Sequence, residues 1–293
     1  MGKSNELPNY GGQALIEGIL MRGRSFVVAA FRKSDGEIVL DEEKLTGISK
    51  TRLAKLPLIR GLIILWDSLS LGIKYLTISA NHQSDEAEEK IEGFGLFITL
   101  IVSLSLSISL FFVLPSLLVA CISKIININT FLINLLEGII RIVILILYLV
   151  IVGRTEEIKR VFAYHGAEHK TINAFEHGES INTANIKKYP LAHARCGTSF
   201  LLTLVLLSVV IYSLLGPMPL ITRVLSRILF IPFIAMISYE LIRWMGNNEH
   251  NPVIKLLTKP NLLLQKLTTQ EPTVEMIEVA VTAFNRLVEL ENN

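Results

Sequence analysis

The stretch FGLFITLIVSLSLSISLFFVLPSLLVACI, residues 94–122, decides the fold class of this chain. It contains no charged side chain, and it is longer than the roughly 20 apolar residues that an α-helix needs to cross a bilayer. Three further segments, 131–153, 198–220 and 226–245, are also long and apolar enough. The sequence therefore predicts a mainly α, polytopic helical membrane protein with about four transmembrane helices.

The composition supports the membrane class. Hydrophobic residues make up 51% of the 293 residues and charged residues 18%, whereas an average soluble domain has about a quarter charged residues. The two cysteines, Cys121 and Cys196, fall on opposite sides of the predicted membrane domain, so no disulfide is expected between them.

The segment 57–80 is apolar but differs from the four spans, because it carries Arg60, Asp67 and Lys74. Charges in the middle of a span are costly in lipid. We expect this segment to be an interfacial or re-entrant helix rather than a fifth span.

Basic residues orient the four spans. Residues 1–60 contain ten Lys or Arg and the motif loop 154–197 contains seven, whereas 123–130 and 216–225 contain one each. Because positively charged loops stay in the cytoplasm, both termini and the motif loop should be cytoplasmic. The basic N-terminal region lacks interleaved aromatic residues, so we expect contact with membrane lipid and no nucleic-acid binding.

The chain then divides into four parts: a cytoplasmic N-terminal β element (1–56), the interfacial helix (57–80), the transmembrane domain (94–245) and a cytoplasmic tail (246–293). Asp35-Gly36 is a strong hairpin signal between two strands of the β element. The four glycines of GGQALIEGILMRGR, residues 11–24, indicate close backbone approach. The tail should close with an amphipathic helix.

The motif YHGAEHKTINAFEHG, residues 164–178, carries the candidate chemistry. His165, Glu168 and His169 fall at i, i+3 and i+4 on the apolar stripe of a predicted helix, where unpaired polar groups are costly. Two histidines at this spacing can bind one Zn²⁺ or another divalent metal, and the glutamate between them can act as general base. The order His-x-x-Glu-His is that of an inverted zincin.

A metal site needs further ligands, and the predicted topology offers three. Glu240 lies inside the last span near the same membrane face, and it is our leading candidate for the third ligand. His193 and Cys196, just before the third span, are the alternatives. Arg243, or Arg195, could stabilise a developing oxyanion.

Five blocks of the sequence together resemble the bacterial YqhQ-like membrane protein family, a domain of unknown function that is sometimes labelled a predicted metal-dependent enzyme. The blocks are GGQALIEGILMRG, YHGAEHKTINAFEHG, HARCGTSF, SYELIR and LQKLTTQEPTVEMIEVAV. This resemblance implies a multi-pass protein of the bacterial cytoplasmic membrane, and it implies no particular reaction.

The function predicted from these residues is metal-dependent hydrolysis of a peptide, or of a lipid amide or ester, at the cytoplasmic membrane face. A non-catalytic scaffold or regulator with a structural metal closed by four ligands is the alternative. A small transporter, with Glu240 and the pair Glu137/Arg141 along its path, is a third hypothesis. A homo-oligomer is compatible with the sequence.

Overall fold

A computed structural model describes residues 10–46, 51–83, 93–126, 129–193, 196–248 and 250–293. Arg195, one of the two arginines considered for oxyanion stabilisation, lies outside these residues.

The N-terminal β element is a four-stranded antiparallel meander in the order β1-β2-β3-β4. The predicted hairpin at Asp35-Gly36 is confirmed: it joins β3 to β4, and Gly36 has the positive φ (+90°) that this turn favours. The glycine-rich stretch 11–24 forms β1 and β2, which the sequence did not predict because glycine weakens strand propensity. The strands are β1 Gly11–Leu15, β2 Gly18–Arg22, β3 Phe26–Arg32 and β4 Ile38–Lys44.

Eleven α-helices lie in the described part of the chain. A 3₁₀ turn (Arg52–Lys55) precedes the first helix, and a π-helical turn (Ser109–Val113) joins the second to the third. The helices are α1 Ile59–Gln83, α2 Gly93–Ile108, α3 Leu114–Ile125, α4 Thr130–Val152, α5 Glu156–Glu176, α6 Thr183–Ile186, α7 Gly197–Ser213, α8 Leu220–Leu229, α9 Ile231–Asn247, α10 Pro252–Gln265 and α11 Val274–Asn292.

Three helices of the described residues are long and apolar enough to cross a membrane, and a fourth counts if α8 and α9 form one broken span. The three are α1, the continuous α2–α3 helix and α4. The helix α7 is apolar but has only 17 residues, and α8 and α9 are bent by 42° where Phe230 separates them. A mainly helical chain with three to four candidate spans is thus confirmed, although α1 takes the place that the prediction had given to α7.

The sheet is buried on both faces, which explains why β2 and β3 are almost continuously apolar. One face packs on α5 and α11 through residues such as Ile19, Val28 and Phe284. The other face packs on α1, where Tyr75 is fully buried beside Phe31. The predicted C-terminal amphipathic helix therefore forms as α11, and it contributes to the core around the sheet.

The polar side chains of α1 attach it to the sheet. Asp67 pairs with Arg22, and Lys74 donates to Glu43 at 2.6 Å. The Ser79 hydroxyl accepts from the Ile16 backbone N–H at 3.3 Å. Asp67 and Lys74, two of the three charges that argued against a span, thus have partners on the sheet, and Arg60 pairs with Glu240 of α9.

A buried arginine cluster of Asn134, Glu137, Arg141 and Arg227 ties the apolar helices together. Arg141 donates to Glu137 at 2.8 Å and Arg227 donates to the same carboxylate at 3.1 Å. Arg227 also donates to Asn134 at 2.6 Å, and Arg141 donates to the Phe111 carbonyl at 2.8 Å. Phe111 belongs to the π-helical turn, a geometry that leaves carbonyl groups available to other donors.

Candidate metal centre

The helix α5 positions the motif residues, and it is buried almost all round rather than along one stripe. Every residue from Ala163 to Ala174 is buried except His165, which is partly exposed. The helix is enclosed because β1, α11 and the segment that follows α10 pack against it. Thr155 is the N-cap residue of this helix, and the C-cap residue is His177, which is followed by Gly178 with a φ of +75°.

Backbone carbonyls orient both histidines of the motif. His165 Nδ1 lies 2.8 Å from the Thr268 carbonyl, and His169 Nδ1 lies 2.5 Å from the Leu191 carbonyl. A carbonyl can only accept, so each Nδ1 carries the proton and donates it. Each Nε2 then keeps a lone pair, which is the arrangement found at metal-ligating histidines.

Cys196 completes a group of three ligand atoms. Its Sγ lies 3.2 Å from His165 Nε2, and one ligand atom each from His165, His169 and Cys196 fall within 4.8 Å of one another. Atoms bound to one Zn²⁺ at about 2.0–2.3 Å lie within about 4.6 Å of each other, so a small closure of the group would suffice. We refer to these three residues as the His–Cys cluster.

Cys196 holds its sulfur at the N-terminus of α7. Cys196 is the N-cap of α7, and its Sγ accepts from the Thr198 backbone N–H at 3.3 Å. Anions are stabilised at helix N-termini by the exposed N–H groups and the helix dipole. The thiolate is the form in which cysteine binds metals.

His169 has a buried ring nitrogen without a hydrogen-bond partner in the described part of the chain. His169 is 1% exposed, and its Nε2 has no hydrogen-bond partner among the described residues. A buried acceptor without a partner costs about 1–3 kcal/mol, so native structures rarely keep one without a ligand. A metal ion at the His–Cys cluster would give this lone pair its partner.

His193 lies beside the cluster without belonging to it. Its ring centroid is 5.6 Å from that of His169, and its Nε2 lies 3.4 Å from a Glu176 carboxylate oxygen. The Gln265 side chain holds the His193 backbone from both sides, accepting from its N–H at 3.1 Å and donating to its carbonyl at 2.7 Å. His193 is therefore placed as a neighbour of the cluster.

Glu240 does not join the cluster, although the sequence made it the leading third ligand. Both of its carboxylate oxygens pair with Arg60 of α1, at 2.6 Å from Arg60 Nε to Glu240 Oε1. The Leu58 backbone N–H also donates to Glu240 at 3.1 Å. Nothing in the sequence indicated that α1 would bring the Arg60 cation to this side of α9. Of the candidates, it is Cys196 whose sulfur lies within 4.8 Å of the ligand atoms of His165 and His169.

The cluster opens into a cavity of about 980 Å³. His165, Glu168, His193 and Cys196 line one part of it, and Arg243 of α9 also reaches it. Glu168 is buried, and its carboxylate has no hydrogen bond or ion pair with any described residue. The candidate base and two of the three cluster residues thus face the same space.

A glycine of β1 makes room for Glu168. A Cβ built at Gly12 would lie 2.8 Å from Glu168 Cγ and 2.7 Å from the Leu20 carbonyl oxygen. The close backbone approach predicted for the glycine-rich stretch is confirmed here.

Three residues of the site were not predicted from the sequence: Leu191, Gln265 and Thr268. They act mostly through backbone carbonyls or a neutral amide, so no charged side chain marks them in the sequence.

Ion pairs fix α5 to the turn between β1 and β2. Arg160 forms two hydrogen bonds to Glu17, and the Tyr164 hydroxyl donates to the same carboxylate at 3.3 Å. Burial and the Glu17 charge raise the pKa of Tyr164, so the phenol stays protonated and keeps this hydrogen bond at neutral pH.

Comparison with known proteins places the chain in a family. Residues 56–290 match the family described as "Protein of unknown function (DUF1385)". The chain belongs to this family. A member from Bacillus subtilis (strain 168), "Uncharacterized protein YqhQ", is 34% identical over 307 residues, which cover 99% of this chain and 96% of the relative. No solved structure matches the chain. The resemblance found in the sequence blocks is thereby confirmed, and the DUF1385 match contains every residue of the His–Cys cluster.

Proposed function

We propose that this protein is a membrane-associated, metal-dependent hydrolase whose metal is held by His165, His169 and Cys196. Zn²⁺ suits two imidazoles and a thiolate, and three protein ligands leave the open position that a catalytic site needs. A divalent metal held there would supply Lewis-acid activation of a water molecule and of the carbonyl group to be cleaved.

Glu168 and Arg243 have separate roles in the proposed reaction. The Glu168 carboxylate takes a proton from the attacking water and returns it to the leaving group as the acyl C–O or C–N bond breaks. One water is consumed, and a carboxylic acid and an alcohol or amine are released. Arg243 supplies positive charge at the cavity, where it can hold an anionic part of the substrate.

The unpartnered Nε2 of His169 carries this proposal, because hydrogen bonding already explains the buried Lys170, Thr171 and Asn173 of the same helix. Thr171 donates to the Ala167 carbonyl at 2.8 Å, and Asn173 donates to two backbone carbonyls. Lys170 pairs with Glu271. His169 alone on this helix has a buried side-chain atom without a hydrogen-bond partner among the described residues.

Metal content tests the proposal. Purified protein should contain about one transition metal ion per chain by mass spectrometry, and His169→Ala should reduce this to a background level. His177→Ala is the matched control, because His177 ends the same helix and bonds only to the Asn173 carbonyl in the described residues. Retention of metal by His169→Ala, or its absence from the wild type, would refute the metal centre.

Glu168→Gln separates catalysis from structure. The amide keeps the shape of the side chain but cannot accept the proton, so metal should stay while hydrolysis of a p-nitrophenyl ester falls by about 10²–10⁴-fold. An unchanged rate with metal retained would favour the structural-metal scaffold instead.

A second candidate is a thiol hydrolase without metal, and the 3.2 Å contact between His165 Nε2 and Cys196 Sγ favours it. His165 would be the base and Cys196 the nucleophile. Alkylation by iodoacetamide distinguishes the two. If a metal holds the sulfur, a chelator should accelerate alkylation of Cys196; if the thiol hydrolase is correct, chelation changes nothing and alkylation abolishes activity.

A further inference from the structure

One wall of the cavity is a stripe of α1. The stripe recurs at helical spacing and consists of Ile64, Leu65, Ser68, Leu69, Gly72, Ile73 and Leu76. Leu69, Ile73 and Leu76 are exposed large hydrophobics. The cavity therefore offers apolar surface that nothing in the described chain covers.

The orientation of this stripe is fixed by the other side of the helix. Asp67, Lys74 and Tyr75 of α1 contact the sheet, and Gln13 of β1 donates to the Ser68 carbonyl at 3.1 Å. These contacts prevent the helix from rotating its apolar stripe away from the cavity. An apolar occupant would thus meet a rigid surface.

The length and the surroundings of the stripe suit one lipid chain. From Ile64 to Leu76 the helix rises about 18 Å, which compares with about 15 Å for the half-thickness of a bilayer hydrocarbon core. The helix α1 is itself long and apolar enough to enter a membrane. An acyl chain could therefore pass from lipid to this wall without crossing water.

The cavity lining has a polar part and an apolar part. The polar part includes His165 and Cys196 of the His–Cys cluster, Glu168 and Arg243. Arg243 forms no hydrogen bond or ion pair with the described residues, so its guanidinium is available to an anionic group. The apolar wall along α1 has no charged side chain facing the cavity.

We propose that the cavity binds a single-chain lipid, or one chain of a larger lipid, with its acyl chain along α1 and its ester or amide group at the His–Cys cluster. This inference rests on the proposed function for the identity of the reacting group. The binding of the acyl chain stands separately, because it depends on α1 and not on a metal.

Photo-crosslinking tests the acyl-chain site. The probe is palmitic acid with a diazirine in its chain, added to the full-length protein in nanodiscs of phosphatidylcholine, with labelled peptides mapped by mass spectrometry. We expect labels within residues 64–76, and competition by lysophosphatidylglycerol. Ile73→Trp places a larger side chain against the acyl-chain path and should reduce this labelling at least about tenfold, since each buried methylene contributes about 0.8 kcal/mol.

Ile59→Trp is the matched control, because Ile59 is an exposed residue of the same helix that does not line the cavity. Its labelling within 64–76 should equal that of the wild type. Equal labelling of all outward faces of α1, or no effect of Ile73→Trp, would overturn the site. Competition by an apolar decapeptide but not by the lysolipid would show a peptide site and would also overturn it.

Arg243→Gln provides a second test that does not alter the packing of α1. Labelling by the carboxylate probe should fall about two- to fivefold, the size of an exposed charge contact. Labelling by the matching uncharged monoacylglycerol should not change, and an equal fall with both probes would contradict the assigned orientation. Metal content is measured on the same samples, so labelling without metal would refute the proposed function alone, and metal without labelling would refute the lipid site alone.

Discussion

Two buried polar clusters in this protein are built in opposite ways. The arginine cluster lies among the apolar helices, and its charged groups all have hydrogen-bond partners among the described residues. The His–Cys cluster lies beside the sheet, opens to a cavity and leaves His169 Nε2 without a partner. Burial alone therefore does not distinguish a structural polar group from a functional one. The presence or absence of a hydrogen-bond partner does.

The comparison also distinguishes a structural from a functional role for an ionisable residue in an apolar helix. Such residues are functional hypotheses by default, and Glu137, Arg141 and Glu240 all qualified from the sequence. In the structure Glu137 pairs with two arginines, and Glu240 pairs with Arg60. Ion pairs of this kind hold helices together. The His–Cys cluster differs, because His169 Nε2 has no hydrogen-bond partner among the described residues.

The largest expected effect comes from Glu137→Gln, which breaks the arginine cluster. Two buried guanidiniums would lose their counter-charge, at a cost of about 3–5 kcal/mol in the free energy of unfolding. Chemical denaturation in detergent micelles measures the loss. Glu156→Gln is the control, because Glu156 pairs with Lys159 on the exposed face of α5. Metal content should not change, and a metal loss without destabilisation would reverse the roles of the two clusters.

A smaller effect is expected from Gly12→Ala, which tests the role of Glu168. The added methyl meets Glu168 Cγ and the Leu20 carbonyl, and overpacking of this kind costs about 1–3 kcal/mol. Hydrolysis should fall while metal is retained, because the displaced side chain is not a ligand. Gly11→Ala has nothing within 4 Å of the new Cβ, so its stability and rate should match the wild type. Equal effects of both variants would contradict the contact.

The smallest effect is expected from Glu17→Gln, at a partly exposed pair. Losing the charge partner of Arg160 should cost about 0.2–1 kcal/mol, and the difference from the wild type should shrink in 1 M salt, where charges are screened within about 3 Å. Denaturation at low and high salt measures it. A loss that persists in high salt would mean that the Tyr164 hydrogen bond, rather than the ion pair, holds α5 to the sheet.

The local elements were predictable because short-range chemistry specifies them. The Asp35-Gly36 hairpin depends on neighbouring residues, and it forms as expected. The apolar helices α2–α3 and α4 follow from their lengths alone. The pair of strands at 11–22 was missed, since its stability comes from the helices packed on both faces of the sheet rather than from its own residues.

The partners of the site residues were not predictable in the same way. His165 and Cys196 are 31 residues apart, and Thr268, which orients His165, is 103 residues away. The separation of residues along the chain does not predict which polar side chains will be in contact in the folded protein. The sequence favoured Glu240 over Cys196, and nothing in it indicated that Arg60 of α1 would pair with Glu240.

By itself the sequence determined the long apolar helices α2–α3 and α4 and the polar residue types on α5, because hydropathy and residue chemistry are local properties. The tertiary structure alone decided that α1 lies on the sheet, that Glu240 is neutralised, and that one lone pair of His169 remains unpartnered beside His165 and Cys196. The physical reason is that a hydrogen bond has direction and is satisfied or not only once every neighbour is in place.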